Sequence, residues 1–310
     1  MKRIIAVLSF ASIALSAFSQ GCSDSGFCTM GALKPDQPYM RKLSIRINSI
    51  ELTQHLGHTR QGDWIHATFA DVNVGLTRKT NVQLRLPAYT IIEGNMPRTT
   101  GWGDFFFNVS QNVLATDQFQ LTATAGAKIA TGRGNKASDE GHAMPLYQQT
   151  TSGSDDVSVG AALLSRRWLV AAGYQKVLSR SGNQFHADAW SESPYHNVMQ
   201  QYDASAGLWR GDDVMLRLER NFRLSQWNVY TGILNVWRVS EDKMLMADGS
   251  GSAVRGSAGL ASSFIAGAGY RFNVHSGLRL VTAWRLKERE ANPDGLARDF
   301  VAQLAYIFRF

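Results

Sequence analysis

Residues 300–310 read Phe300-Val301-Ala302-Gln303-Leu304-Ala305-Tyr306-Ile307-Phe308-Arg309-Phe310. Successive side chains of a strand point to opposite faces. Phe300, Ala302, Leu304, Tyr306, Phe308 and Phe310 therefore share one face, and Val301, Gln303, Ala305, Ile307 and Arg309 share the other. An alternating strand that closes on an aromatic residue, Phe310, has the form of a β-barrel assembly signal, with Tyr306, Phe308 and Phe310 as its aromatic positions.

The same period of two runs back through the chain. Val82, Leu84, Leu86 and Ala88 alternate with Asn81, Gln83 and Arg85, and Phe119 through Ile129 alternate with Gln118 through Lys128. Val214, Leu216 and Leu218 alternate with Asp213, Arg217 and Glu219, and Leu278 through Leu286 with Arg279 and Arg285. Segments of about 10 to 14 residues are long enough for tilted strands to cross a bilayer. Aromatics near segment ends, among them Trp64, Trp102, Phe105, Trp168, Trp227, Trp237, Trp284 and Tyr306, suit interfacial girdles. No apolar run of roughly 18 residues follows position 20, so no ordinary transmembrane helix is available.

Strands are expected near 43–55, 64–77, 81–93, 102–114, 118–131, 154–166, 168–179, 211–224, 226–239, 257–272, 276–287 and 297–310. The connections then alternate. Short turns fall at 78–80, at 115–117, around Arg167, around Ser225 and at 273–275, and the long loops include 132–153, 180–210 and 240–256. That alternation predicts an all-β, transmembrane, antiparallel up-and-down barrel of about twelve strands, with short periplasmic turns and long extracellular loops. The first strand should pair with the last, because lipid leaves a sheet edge unsatisfied. Alternation breaks near Asp71, where a bulge is expected.

The first residues read as an export signal over 1–19: Lys2 and Arg3, an apolar core from Ile4 to Leu15, and Ala17-Phe18-Ser19 before the cut. A periplasmic leader over 20–40 follows, then the barrel over 41–310. Cys22 and Cys28, in an oxidising compartment, are expected to form one local disulfide. The formal charge of +7 falls to about +5 without Lys2 and Arg3 and is spread along the chain, which argues against nucleic-acid binding.

Several blocks resemble a family of outer-membrane transporters named for the meta-pathway of phenol degradation, as in a Bacteroidetes-type relative. Gly101-Trp102-Gly103-Asp104 before Phe105-Phe106-Phe107 resembles its Gly-x-Gly-Asp turn. Ala127-Lys128-Ile129-Ala130-Thr131-Gly132 resembles its Lys-x-Pro-Thr-Gly strand end, with Ala130 in place of proline. Gly153-Ser154-Asp155-Asp156 and the leader from Gly21 to Met30 are further blocks. The resemblance implies a Gram-negative outer-membrane channel or transporter for small solutes of hydrophobic, aromatic or anionic character. The partners implied are outer-membrane lipid, the barrel assembly machinery and an unidentified small-molecule solute.

If the apolar faces meet lipid, Arg85, Lys128, Arg217, Glu219, Arg271, Arg279, Arg285 and Arg309 line the interior, with Asp104. Two outcomes follow from that set: a positively charged pore preferring anions, or arginines paired with acids in a plugged, partner-binding barrel. A lipid-modifying enzyme is the third class. It would need an oriented Ser/His pair, and no Ser-centred motif accompanies any of the seven histidines. No cofactor, metal or catalytic residue is expected, although His186, Asp188 and His196 share one long loop.

Overall fold

The computed structural model describes residues 46–246 and 250–310. The export signal, the leader and the Cys22–Cys28 pair lie outside the described residues. The sheet is built from β1 (Arg46–His58), β2 (Trp64–Gly75), β3 (Thr80–Arg85), β4 (Tyr89–Glu93), β5 (Thr99–Trp102), β6 (Phe105–Ala115), β7 (Phe119–Ile129) and β8 (Asp156–Ser165). It continues through β9 (Trp168–Val177), β10 (Asp213–Leu224), β11 (Trp227–Arg238), β14 (Gly259–Arg271), β15 (Ser276–Lys287) and β16 (Phe300–Arg309), while β12 (Lys243–Leu245) and β13 (Gly251–Ala253) form a separate hairpin.

Each strand pairs antiparallel with its neighbours, and β1 pairs with both β2 and β16, so the sheet closes. In that seam Ser49 faces Arg309 and His58 faces Phe300. β3 and β4 lie end to end along β2, and β5 and β6 continue the next position, which leaves twelve staves around the barrel.

Two sequence expectations are corrected here. The strand over 81–93 is interrupted at Leu86-Pro87-Ala88, because Pro87 has no N–H to give the ladder. Across the gap the Leu86 amide donates to the Ala70 carbonyl (3.0 Å), and the Gly103 amide donates to the Ala88 carbonyl (2.8 Å). Asp71 does not sit at a bulge. It pairs regularly with Arg85 and Glu51, and β1 carries the irregularity between Ile47 and Ser49. The break in polarity arises because Ala67 and Phe69, which share Asp71's inward face, are apolar and buried. Met244 and Leu245 lie in the separate hairpin.

The two faces of the wall differ in chemistry. Leu52, Val159, Leu163, Leu216, Leu218, Ile233, Leu280 and Leu304 are exposed on the outside. Trp64, Trp102, Trp168, Trp227 and Tyr306 are exposed near strand ends, and rings pair across strands there, as in Tyr89 with Trp102 and Trp227 with Tyr270. Inward residues are buried. One sector holds an apolar belt of Leu164, Leu169, Met215, Tyr230, Leu234, Ile265 and Val301.

Tyr230 lies across the backbone of Gly267, where an added Cβ would come within 2.3 Å of the ring and 2.6 Å of the Leu280 carbonyl. Gly267→Ala should therefore cost roughly 1–3 kcal/mol through overpacking. Gly182→Ala, which meets nothing within 4 Å, should stay within about 0.5 kcal/mol of the parent. Urea titration of the folded barrel reads both, and equal midpoints would mean that the Tyr230 ring is free to leave Gly267.

Candidate functional site

Two layers of buried charge lie inside the barrel, one towards each end. Towards the short turns, Arg85 grips Asp71 through Nε at 2.8 Å and Nη2 at 3.0 Å, with its guanidinium 4.2 Å from the Phe69 ring centroid. Arg279 on β15 reaches Glu51 on β1 at 2.6 Å. Arg217 and Glu219, two residues apart on β10, approach to 3.3 Å. A low-dielectric interior makes an unpaired charge costly, so each cation has an acid beside it.

Towards the long loops the network is denser and binds the loops to the wall. Lys128 Nζ lies 2.9 Å from Asp156 and 3.8 Å from Asp104, and it also donates to Ser152. Asp156 accepts from Gln175 (2.7 Å) and from Arg210, which lies in the loop between β9 and β10. Asp104 accepts from the Thr151 hydroxyl at 2.6 Å.

Arg238, the last residue of β11, is the centre of this layer. Its Nε and Nη2 donate to the two oxygens of Asp213 at 3.0 and 2.9 Å. Its Nη1 donates to Asp242 at 3.0 Å and to Asp294 at 2.8 Å. One guanidinium thus joins β10, the loop after β11 and the loop before β16. Arg289 adds a second bond to Asp294 at 3.0 Å. Burial alone would raise the Asp294 carboxyl, but Arg289, Arg238 and Arg210 hold it far below the usual carboxylate range. Burial raises Asp242, and the Arg238 charge offsets this only in part.

Above this layer the loops form a cover with an apolar core of its own. Met96, Met144, Tyr147, Phe185, Trp190, Met199, Tyr202 and Ala297 come from four different loops and are buried together. Trp190 donates its indole N–H to the Ala143 carbonyl at 3.1 Å, and the Asn183 amide reaches the Gly134 and Met144 carbonyls. Tyr202 donates to Asp63 at 2.7 Å. Burial raises the Asp63 carboxyl, and burial beside Asp63 raises the Tyr202 hydroxyl, so the pair stays protonated on the tyrosine.

The sequence-expected residues fall into three groups. Arg85, Lys128, Arg217, Glu219, Arg279 and Arg285 are buried inside the barrel, Arg285 bonded to Asp299 at 2.7 Å and also to Glu288. Arg271 and Arg309 share the inward parity but end their strands at the short-turn rim, where Arg271 is exposed and Arg309 half-buried. Tyr306, Phe308 and Phe310 are exposed on the outer face.

Arg238, Asp213, Asp242 and Asp294 were not legible as a site. Their sequence signal is one charge ending the inward row of Tyr230, Gly232, Leu234 and Val236, and acids scattered through a strand end and two loops. Among the described residues, no group of three or more His, Cys, Asp or Glu side chains is placed to hold a metal, and His186, Asp188 and His196 do not form one.

No protein-family model matches the chain, and no curated protein does either. Among solved structures it is similar to the NanC porin, at 8% identity, 85% of this chain, all of that one and a TM-score of 0.47. It is similar to the KdgM porin at 4% identity, 84% and 99% coverage and TM-score 0.43. It is also similar to the CymD monoaromatic hydrocarbon channel at 10% identity, 95% and 94% coverage and TM-score 0.42. These identities carry no residue's role across.

The Asp294 bond sets a pH limit on the cover. Because the folded state holds this carboxyl below its unfolded value, its contribution is complete above about pH 4. It fades as pH falls through the more acidic folded value. Hydrogen exchange over 288–299 should therefore accelerate on acidification below pH 4. Asp294→Asn should produce the same loosening at pH 7, at a cost of about 3–5 kcal/mol for a broken buried pair. Unchanged exchange in the variant would show that the apolar core alone fixes the cover.

Proposed function

We propose that this chain is a Gram-negative outer-membrane barrel that passes small neutral or aromatic solutes. The supporting observation is the combination of a closed wall, an apolar outer face and an interior whose charges are paired. The outer face with its end-of-strand aromatics suits lipid, and closure satisfies every wall strand without water. On this reading Tyr306, Phe308 and Phe310 present the assembly signal, and the short turns face the periplasm.

Arg85, Lys128, Arg217, Arg279 and Arg285 each stand against a carboxylate. Such an interior offers a permeating anion little net attraction. The belt of Leu169, Met215, Tyr230, Leu234 and Ile265 offers instead a wetting surface for apolar rings. The loop cover keeps the mouth closed until the Arg238–Asp294 tether yields.

A partner-binding barrel with a plugged interior is the second reading, favoured by the full burial of Leu169 and Met215 in that belt.

Planar-bilayer recording and liposome flux of a small aromatic solute separate the two readings. The parent should conduct ions weakly and with little charge preference, yet pass the aromatic solute. Glu51→Gln, which leaves Arg279 without its acid, should shift the reversal potential towards anions. A parent that is already strongly anion-selective would overturn the neutral-solute reading. Absence of flux in both the parent and Asp294→Asn, with the barrel folded, would establish the plugged one.

A further inference from the structure

The short-turn rim carries an arginine cluster that neither the interior network nor the cover uses. Arg166 and Arg167 form the turn between β8 and β9, and Arg220 lies on the outer face of β10. The Asn221 amide donates to the Arg167 carbonyl at 2.7 Å, which fixes the turn against β10. The Arg220 guanidinium lies 4.7 Å from the Trp168 ring centroid and 5.6 Å from that of Phe222.

The local charge is one-sided. Glu219, next in sequence to Arg220, points inward to Arg217. Among the described residues, none of the three arginines has a carboxylate partner within ion-pair distance. Across the five short turns the acidic residue is Asp117, against Arg78, Lys79, Arg166 and Arg167.

An arginine on the lipid face costs about 2–4 kcal/mol at mid-bilayer and about 0–1 kcal/mol near the interface. Arg220 beside exposed Trp168 therefore marks the interface. A guanidinium there suits a phosphodiester, whose oxygens match its fork of N–H donors. Directly towards the membrane centre from the paired Arg220 and Trp168, Val170, Leu218 and Leu216 are exposed on the same face. Headgroup charge and acyl surface are thus adjacent, as a phospholipid requires and a soluble anion does not.

We propose that Arg166, Arg167 and Arg220 form a headgroup site for an anionic glycerophospholipid, with its acyl chains along Val170, Leu218 and Leu216. The inference rests on the membrane reading above. It adds a preference for one lipid class in the leaflet that meets the short turns.

The test uses the full folded chain in phosphatidylcholine bilayers containing brominated phosphatidylglycerol or brominated phosphatidylcholine, with tryptophan quenching reporting which lipid sits at the wall. The parent should associate with the anionic lipid roughly fivefold more strongly, the scale of one arginine at an anionic surface. R166Q/R167Q/R220Q should bring the ratio close to one. R220Q alone, which keeps the turn intact, should lower it part-way and covers the case of a triple variant that does not fold. K176Q/K243Q at the opposite rim should leave it unchanged.

Equal association of the two lipids with the parent would overturn the site. A preference that survives the triple variant would do so too, by placing the anionic lipid elsewhere on the wall. Failure of the membrane reading looks different: the chain would not enter bilayers, and its gel mobility would not change on heating, before any lipid is compared.

Discussion

The pairing of β1 with β16 is the constraint on which the rest depends. A sheet that meets lipid can leave no row of unpaired N–H and C=O groups, so the first and last staves must find each other across the whole chain. Their register also fixes what faces inward. With Glu51 opposite Ile307 and Arg279 opposite Ala305, the Glu51 and Arg279 side chains meet across β16 inside the barrel. A slip of one residue at this seam would turn Glu51 outward onto the apolar face and leave Arg279 buried without it. Closure and the interior ion pairs are therefore two expressions of one register.

The buried charges act as fasteners rather than as a net source of stability. Desolvation takes back much of what a buried pair gains, so such pairs are weak evidence for stability, whereas breaking one is costly. That asymmetry favours position over strength. Arg238 illustrates it: three carboxylates from three separate segments converge on one guanidinium, and each would be left buried and uncompensated if its segment moved. The cover is held by two independent means, this ionic root and the apolar cluster around Trp190 and Phe185. Loops of this length seldom keep one arrangement without such anchors.

Much of the wall was legible in the sequence because the signal is periodic. Polar and apolar residues alternate with the pleat, and the short turns separate the segments cleanly, so the stave count, the closure and the inward placement of Arg85, Lys128, Arg217 and Arg279 followed from parity. Legibility failed where parity carries no information. The inward belt of Leu169, Met215 and Leu234 is as apolar as the outer face, so alternation there marks no side. Pro87 breaks a stave that hydropathy leaves continuous. The Arg238 cluster depends on loop acids brought together over dozens of residues, and no local pattern encodes that.

On the proposed reading, the arrangement of layers bears on how a solute would cross. Entering from the loop side, it meets the cover and then a charged layer that includes Arg238, Asp213 and Asp156. The apolar belt of Met215, Leu234 and Ile265 follows, and Arg279 with Glu51 lies towards the short-turn end. An ion would have to give up hydration at the belt without a counter-charge to replace it, because the nearby charges are already paired with one another. An aromatic ring gives up little hydration there and gains contact with Tyr230 and the aliphatic side chains. On the proposed reading, the order of layers discriminates by desolvation cost rather than by attraction, and the paired arginines keep the wall in register while adding no field that would draw ions through.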